Sequence, residues 1–316
     1  LQTGEYAISK DARLSAVENA GKDLRKLCDG TDKISQYAWT CLRDGLSYAA
    51  SLVPQIANDI VAVDEAMRFG YNWGDGPFEL IDRLGVDWFI ERLKRDGARV
   101  PELLLKASGK SFYKTINGKL NYLTTSGEFT PVKRASGILL LRDVKRAAEK
   151  PVFKTGSASL WDIGDGVLCA EYHSKMNAID PDIFKTLQEA CKIIPASNGK
   201  YKALVIHNEG SNFSVGANLG LALFAINIAS WETIEQLVRE GQNTYRQLRY
   251  APFPVVSVMH NMALGGGCEI HLHADHTVAH AESYTGLVEV GVGVIPGWGG
   301  CKEMLLRLKA DAALDK

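Results

Sequence analysis

Two carboxylates in glycine-rich settings, Glu269 and Glu289, are the side chains of this sequence best placed to move protons. Glu269 closes the run Ala263-Leu264-Gly265-Gly266-Gly267-Cys268-Glu269, and Glu289 stands inside Gly286-Leu287-Val288-Glu289-Val290-Gly291-Val292-Gly293. A glycine turn between a strand and a helix lets the backbone approach a ligand closely. It also leaves unpaired N–H groups at the positive end of a helix dipole. Such a turn stabilises developing negative charge, and a carboxylate beside it can transfer a proton. A third piece is the loop Ser211-Asn212-Phe213-Ser214-Val215-Gly216-Ala217-Asn218-Leu219, which puts small residues where a buried strand ends. Two backbone donors aimed at one oxygen make an oxyanion hole, and losing one donor costs about 3 kcal/mol of barrier. Two carboxylates beside one substrate can hold a water between them, one as base toward that water and one as acid toward carbon.

Taken singly, each piece has a plain reading. A glycine triplet is a tight bend or a phosphate cradle, and Glu289 alone is a surface carboxylate. The triplet is not a Walker loop, because no Gly-Lys-Ser/Thr follows it. Gly291-x-Gly293 lacks the spacing of a dinucleotide fingerprint. The conjunction of the three pieces carries the signal.

The elements that must position them read as α/β from about residue 158. Ser159–Ile163 and Val167–Tyr172 are strands meeting at Gly164-Asp165-Gly166. Asp180-Pro181 opens a helix, with Asp at the cap and Pro at its first position. A strand at Ala203–His207 follows, then helices to about Leu248. The apolar run Phe253–Met259 is a buried strand leading to the glycine turn, and Cys268–Leu272 is the first turn of a helix. Strands alternating with helices predict a largely parallel sheet.

The N-terminal third reads helical, over 33–52 and Ile56–Phe69 with Gly70 as the stop, then Phe78–Leu84 and Val86–Leu93. Ser111–Tyr122 and Glu128–Val132 alternate around Asn117-Gly118 and Ser126-Gly127, which predicts small hairpins. Lys145–Lys154 is basic and ends in Thr155-Gly156-Ser157, an exposed linker with solvated lysines. Three segments result: 1–105, helical; 106–157, hairpins and linker; 158–316, the α/β domain.

At 316 residues the chain has room for two domains. With 46% apolar residues, 23% charged and a net charge of −1, bulk charge offers no nucleic-acid or anionic-membrane surface. No apolar run reaches the roughly 20 residues of a membrane span. The opening Leu1-Gln2-Thr3-Gly4-Glu5-Tyr6 lacks the basic and apolar regions of a signal peptide and lacks Met, and is read as that of a fragment or processed product. Six scattered cysteines without a C-x-x-C pair fit reduced thiols in a cytoplasmic or organelle-matrix protein.

Residues 158–316 resemble the crotonase (enoyl-CoA hydratase/isomerase) family. The motifs are Lys175-Met176-Asn177-Ala178, Phe213-Ser214-Val215-Gly216-Ala217-Asn218, Ala263–Glu269, and Glu289 with Ile295-Pro296-Gly297-x-Gly299-Gly300. The resemblance implies a crotonase-like ββα spiral, truncated at its C-terminus. It implies the N–H groups of Val215 and Gly266 on the thioester oxygen, with Glu269 positioning and activating water while Glu289 protonates the α-carbon. Lys175, Asn177, Ser214, Gly216, Ala217 and Asn218 would border the CoA ester, although Lys175 also reads as a plain solvated lysine. The implied substrate is an acyl-CoA, without nucleic acid or a membrane span, and a homo-oligomer is compatible with it.

Residues 33–93 resemble the all-α C-terminal domain of 3-hydroxyacyl-CoA dehydrogenases, through Val63-Asp64-Glu65-Ala66-Met67-Arg68-Phe69-Gly70-Tyr71-Asn72-Trp73-Gly74-Asp75-Gly76-Pro77-Phe78-Glu79-Leu80-Ile81-Asp82. The two resemblances together imply part of a bifunctional enzyme of fatty-acid β-oxidation. No cofactor is expected within this sequence. NAD is implied only for a dehydrogenase domain that no glycine-rich βαβ unit here supplies. Two residues depart from the crotonase pattern: Asn218 stands where Asp is usual, and Trp298 where a small residue is common. Two alternative readings are a double-bond isomerase using one carboxylate and a non-catalytic assembly fragment.

The remaining candidates have plain readings. His271, His273, His276 and His280 are core or exposed histidines rather than metal ligands, since the helix ends near Asp275–His276 and a strand begins at Thr277. No metal is expected. Cys268 is a packed small side chain, and Glu282 a surface carboxylate.

Overall fold

A computed structural model describes residues 13–148 and 150–314, with side chains to residue 309. The opening residues, read above as lacking a signal peptide, lie outside the described residues, as does residue 149 of the basic stretch. The chain divides into two compact units at residues 138 and 139.

The first unit carries helices α1 (Ser15–Ala20), α2 (Leu24–Asp29), α3 (Lys33–Leu52), α4 (Ile60–Tyr71), α5 (Pro77–Leu84), α6 (Val86–Arg95) and α7 (Glu102–Lys106). An antiparallel sheet of β1 (Tyr113–Ile116), β2 (Lys119–Leu123) and β3 (Phe129–Pro131) follows. Asn117 and Gly118 both take positive φ between β1 and β2, the two-residue turn their types favour. The sheet belongs to this unit's core, because Phe112 and Leu123 are buried with Phe78, Phe89 and Leu104. Each fully buried side chain of this kind contributes about 1.5–3 kcal/mol.

Helix α4 starts at Ile60, behind the Asp59 cap, rather than at Ile56. It also runs through Gly70 to Tyr71, where Gly70 was expected to stop it. Asn72 ends it in the left-handed region at φ 55°, its N–H bonded to the Met67 carbonyl. Asn tolerates that conformation, so the helix extends to the residue whose side chain permits the turn.

The second unit carries α8 (Leu141–Ala147), β4 (Phe153–Lys154), β5 (Ala158–Asp162), β6 (Val167–Tyr172), α9 (Pro181–Ala196), β7 (Ala203–Ile206), α10 (Leu219–Asn227) and α11 (Trp231–Arg249). It continues with β8 (Val255–Met259), β9 (Met262–Leu264), α12 (Gly266–His273), β10 (His276–Ala279), β11 (Tyr284–Gly286) and α13 (Gly300–Leu314). Six strands form one sheet in the order β10-β8-β7-β6-β5-β4. The four strands β10, β8, β7 and β6 are parallel, while β5 and β4 join antiparallel. Strands β9 and β11 form a separate parallel pair. Helix α9 begins as its sequence dictates, with the Asp180 carboxylate accepting from Ile183 N–H and Pro181 in the first turn. Phe184, Leu187 and Ile183 of α9 pack into a core with Phe213, Tyr245 and Trp298.

The segment read as hairpins and an exposed linker is therefore shared between the units. Its basic part forms the end of α8 and the short strand β4, with Lys145, Lys150 and Lys154 exposed. The Glu209 carboxylate accepts the N–H groups of Leu141 and Arg142, both at 2.8 Å, and Lys145 Nζ lies 2.7 Å from Glu171. Glu171 is buried and also accepts from the Trp161 indole at 3.0 Å. A lone buried carboxylate on a central strand needs such partners, and Lys145 reaches Glu171 from the surface.

Candidate active site

The carboxyl ends of β6, β7 and β8 lie on one edge of the parallel part of the sheet. The loops leaving that edge hold the 211–219 segment and the glycine turn with Glu269, while Glu289 follows β11, the partner of β9. After β7, Ser214 forms a parallel bridge with Ala263 of β9. The 211–219 loop thus runs beside the approach to the glycine turn. That approach differs from the sequence reading in one respect. The buried strand ends at Met259, Asn261 takes φ 48°, and the short strand β9 intervenes before the turn.

The two loops then close on each other. A Cβ built on Gly216, at φ 93°, would stand 2.9 Å from the Leu264 carbonyl oxygen and 3.3 Å from the Gly266 nitrogen. Only glycine fits a positive φ under that crowding. Among the described residues, neither the Val215 nor the Gly266 N–H has an acceptor. Gly266 is the first residue of α12, where no intrahelical acceptor exists. Two spare donors on adjoining backbone stretches are the local requirement of an oxyanion hole.

The glycine turn is anchored from outside. Gly265 N–H donates to the Gly286 carbonyl at 2.9 Å, and the Gly266 carbonyl accepts from the Tyr245 hydroxyl at 2.9 Å. The would-be Cβ of Gly267 falls 2.7 Å from the Ser214 carbonyl oxygen. The would-be Cβ of Gly266 falls 2.3 Å from Cζ3 of Trp298, whose indole also covers Gly241 on α11.

Both carboxylates stand at this turn. A Cβ on Gly265 would lie 3.3 Å from Glu289 Oε1, and Glu289 Oε2 is buried without a partner. Glu289 sits on a one-turn 3-10 helix, Glu289–Val292. Glu269, on the first turn of α12, is 1% exposed. Its Oε1 accepts the main-chain N–H groups of Trp298 at 2.9 Å and Gly300 at 2.8 Å. Burial pushes the Glu269 carboxyl above its ordinary range; the Gly300 and Trp298 N–H groups pull it down, and nearby Glu289 adds a push upward.

The residues expected along the CoA ester divide into two groups. Asn177 and Ser214 are buried and spend their side chains on the scaffold. Asn177 Nδ2 donates to the Asn212 carbonyl at 2.8 Å, and Ser214 Oγ donates to the Asn177 carbonyl at 2.7 Å while accepting from Gly216 N–H. Ala217 bridges to Ile179, and Asn218 caps α10 by accepting from Gly220 N–H. Lys175 is exposed on a 3-10 turn, Lys175–Asn177. Met176 and Asn177 there both hold positive φ, a local strain the neighbouring hydrogen bonds fix in place.

Of the histidines, His271 and His273 are buried on α12. Nδ1 of His271 lies 2.7 Å from Ser257 Oγ, and Nδ1 of His273 lies 2.7 Å from the Glu269 carbonyl. His276 and His280 are exposed, on and just after β10. Among the described residues no group of acidic, histidine and cysteine side chains could hold a metal ion. Cys268 is buried and its thiol is pushed up by burial. Glu282 is exposed.

Sequence reasoning singled out Trp298 only as a departure, and passed over Tyr245 and Arg307. Arg307 Nη2 reaches the carbonyls of His271, Leu272 and Ala274, each at 3.1 Å, so α13 holds the C-terminal end of α12 as its first turn holds Glu269. No helix of the described residues is long and apolar enough to cross a membrane.

A family model described as enoyl-CoA hydratase/isomerase matches residues 165–311. A Bacillus subtilis (strain 168) protein named "Probable 3-hydroxyacyl-CoA dehydrogenase" is 36% identical over 312 residues, 97% of this chain and 39% of that protein. A Rickettsia felis protein named "Putative fatty acid oxidation complex trifunctional enzyme" is 34% identical over 264 residues, 84% of this chain and 34% of that protein. The chain thus spans between a third and two fifths of the length of these relatives. The crystal structure of an enoyl-CoA hydratase from Polaromonas sp. JS666 aligns with 26% identity and a TM-score of 0.44, covering 47% of this chain and 57% of that one. Residues 165–311, which carry both carboxylates and both spare amides, are thus similar to the enoyl-CoA hydratase/isomerase family, the crotonases.

Proposed function

We propose that this site adds water across the double bond of a trans-2-enoyl-CoA to give a 3-hydroxyacyl-CoA. The observation that carries the reading is the pairing of two differently held carboxyls at one turn. Glu269 Oε1 takes two main-chain donors, while Glu289 Oε2 is buried with none.

The thioester oxygen takes the N–H groups of Val215 and Gly266, and these draw electron density from the conjugated double bond. A water activated by Glu269 attacks C3 and gives its proton to that carboxylate. The electron pair of the double bond moves to the thioester as an enolate, which the two amides stabilise in the transition state. Glu289 then delivers its proton to C2 as the enolate collapses. One water is consumed, Glu269 has gained a proton and Glu289 has lost one, and exchange with solvent resets the pair. Burial raises the Glu269 carboxyl, the two N–H bonds offset part of that push, and the group serves as base once ionised. Lys175, Gly216, Ala217 and Asn218 line the approach for the CoA portion, with Asn177 and Ser214 holding the loop beneath it.

Carboxyl groups and water suffice for this step, so the CoA ester is the one group the site has to hold. The relatives' names support a place in fatty-acid oxidation beside a dehydrogenase step, where NAD would act and where the 3-hydroxyacyl-CoA would be consumed.

The test is the loss of conjugated-thioester absorbance when the chain is given a trans-2-enoyl-CoA. Hydration, abolished by Glu289→Gln, is the expected result. A chain that instead only converts 3-enoyl-CoA to 2-enoyl-CoA is an isomerase, and that result overturns the hydratase reading.

A further inference from the structure

A turn of three glycines has no side chain with which to fix its own peptides, and glycine is the residue with the most conformational freedom to lose. An oxyanion donor works through prior orientation, since a dipole that must reorient during the reaction returns much of its advantage. The question is what orients Gly266. Its N–H is spare, its carbonyl accepts from the Tyr245 hydroxyl at 2.9 Å, and its Cα lies under the Trp298 indole. Tyr245 is fully buried on α11. Its ring is packed edge-on against Phe184 at 6.1 Å and Trp298 at 5.5 Å between centroids. Burial pushes its hydroxyl far above the ordinary tyrosine range, which keeps the proton available for donation. Trp298 is wedged between Gly241 and Gly266, two positions at which a Cβ would fall 2.3 Å from the indole.

We propose that Tyr245 and Trp298 are positioning residues for the oxyanion: through the hydroxyl bond and the indole contact they hold the Gly266 backbone with its N–H turned toward the thioester oxygen. This rests on the reading of Gly266 as a thioester-oxygen donor. Neither side chain touches the reacting atoms. A merely structural pair would lower thermal stability when changed and leave the chemistry of bound ester as it was.

The experiment uses the full chain and acetoacetyl-CoA, a 3-ketoacyl ester whose enolate is read from its ultraviolet absorbance. Binding to wild type lowers the pKa of this ester below its value in free solution, because the amides favour the enolate. In Tyr245→Phe, which keeps the ring, the pKa of the bound ester rises by about one unit, a tenfold weaker preference for the enolate. The kcat for hydration falls about tenfold with KM within about twofold. In Trp298→Phe, which withdraws the larger ring but keeps the main-chain N–H on Glu269, the pKa rises in the same direction. If Tyr245→Phe does not fold, the Trp298→Phe shift decides. A wild type that depresses the pKa with both variants matching it overturns this inference and leaves the donor reading standing. A wild type that causes no depression sinks the donor reading itself.

Discussion

Trp298 donates its main-chain N–H to Glu269 Oε1 at 2.9 Å while its indole lies against the Cα of Gly266, so one residue touches both the buried carboxyl and the donor turn. A methyl group at position 266 has to move that indole. Gly266→Ala should lose about 1–3 kcal/mol of stability by overpacking, together with most hydratase activity. Thermal unfolding checks the first part. The double variant Gly266→Ala/Trp298→Phe should recover part of the lost Tm, and a double variant no more stable than Gly266→Ala contradicts the clash.

The two carboxyls should be separable from binding. Glu269→Gln and Glu289→Gln should each lower kcat by about 10²–10⁴-fold, the range for a general acid or base. KM for the ester should change little, because the CoA contacts proposed above lie elsewhere on the loops. Steady-state kinetics decide this, and near-normal turnover in either variant removes that residue from the reaction.

Acid should silence the site at a pH higher than an ordinary glutamate would. Burial raises the Glu269 carboxyl, and the base must be ionised to accept a proton from water. The kcat/KM profile should therefore rise with pH through a limb lying above about 4.3, the value of a free Glu. A limb at or below that value contradicts the assignment of the base.

Much of this was legible in the sequence, where local chemistry decides the outcome. Asn117-Gly118 can adopt two successive positive φ values, and Asp180-Pro181 can cap and start a helix, whatever surrounds them. The Gly265–Gly267 turn and the Val215 loop were legible for the same reason. The Tyr245–Gly266 bond was not. Nothing in a helix such as α11 marks which tyrosine will meet a glycine carbonyl two strands later in the chain. The Glu209 cap on α8 was likewise hidden, and the basic stretch looked like a solvated linker because its partners Glu171 and Glu209 are distant in sequence. Helix α4 overran Gly70 because Asn72 offered an alternative stop that glycine preference alone ranks lower.

Stability of the first unit should fall as pH rises through neutrality. Burial pushes Asp64 up to about 7, against the pull of the Tyr113 hydroxyl at 2.7 Å and Phe78 N–H at 2.8 Å, with Glu79 adding to the push. Asp82, which accepts from Phe112 and Tyr113 N–H, is pushed up to about 6, again by burial. Both are protonated more readily folded than unfolded, so their contribution is complete below about pH 4 and is lost as pH rises through about 6 to 7. Hydrogen exchange of the α4–α6 amides at about pH 5 and about pH 8, corrected for intrinsic rates, should show weaker protection at the higher pH. Asp64→Asn should flatten the difference, and an unchanged slope in that variant contradicts the assignment.

Whether two carboxyls and two amides act on one thioester is read from the fate of solvent atoms. The chain is incubated with a trans-2-enoyl-CoA in heavy-oxygen water and, separately, in deuterium oxide, and the product is weighed by mass spectrometry. The expected product is a 3-hydroxyacyl-CoA carrying one solvent oxygen at C3 and one solvent hydrogen at C2. Unaltered ester in both waters, or hydrogen exchange at carbon with no oxygen taken up, would contradict it.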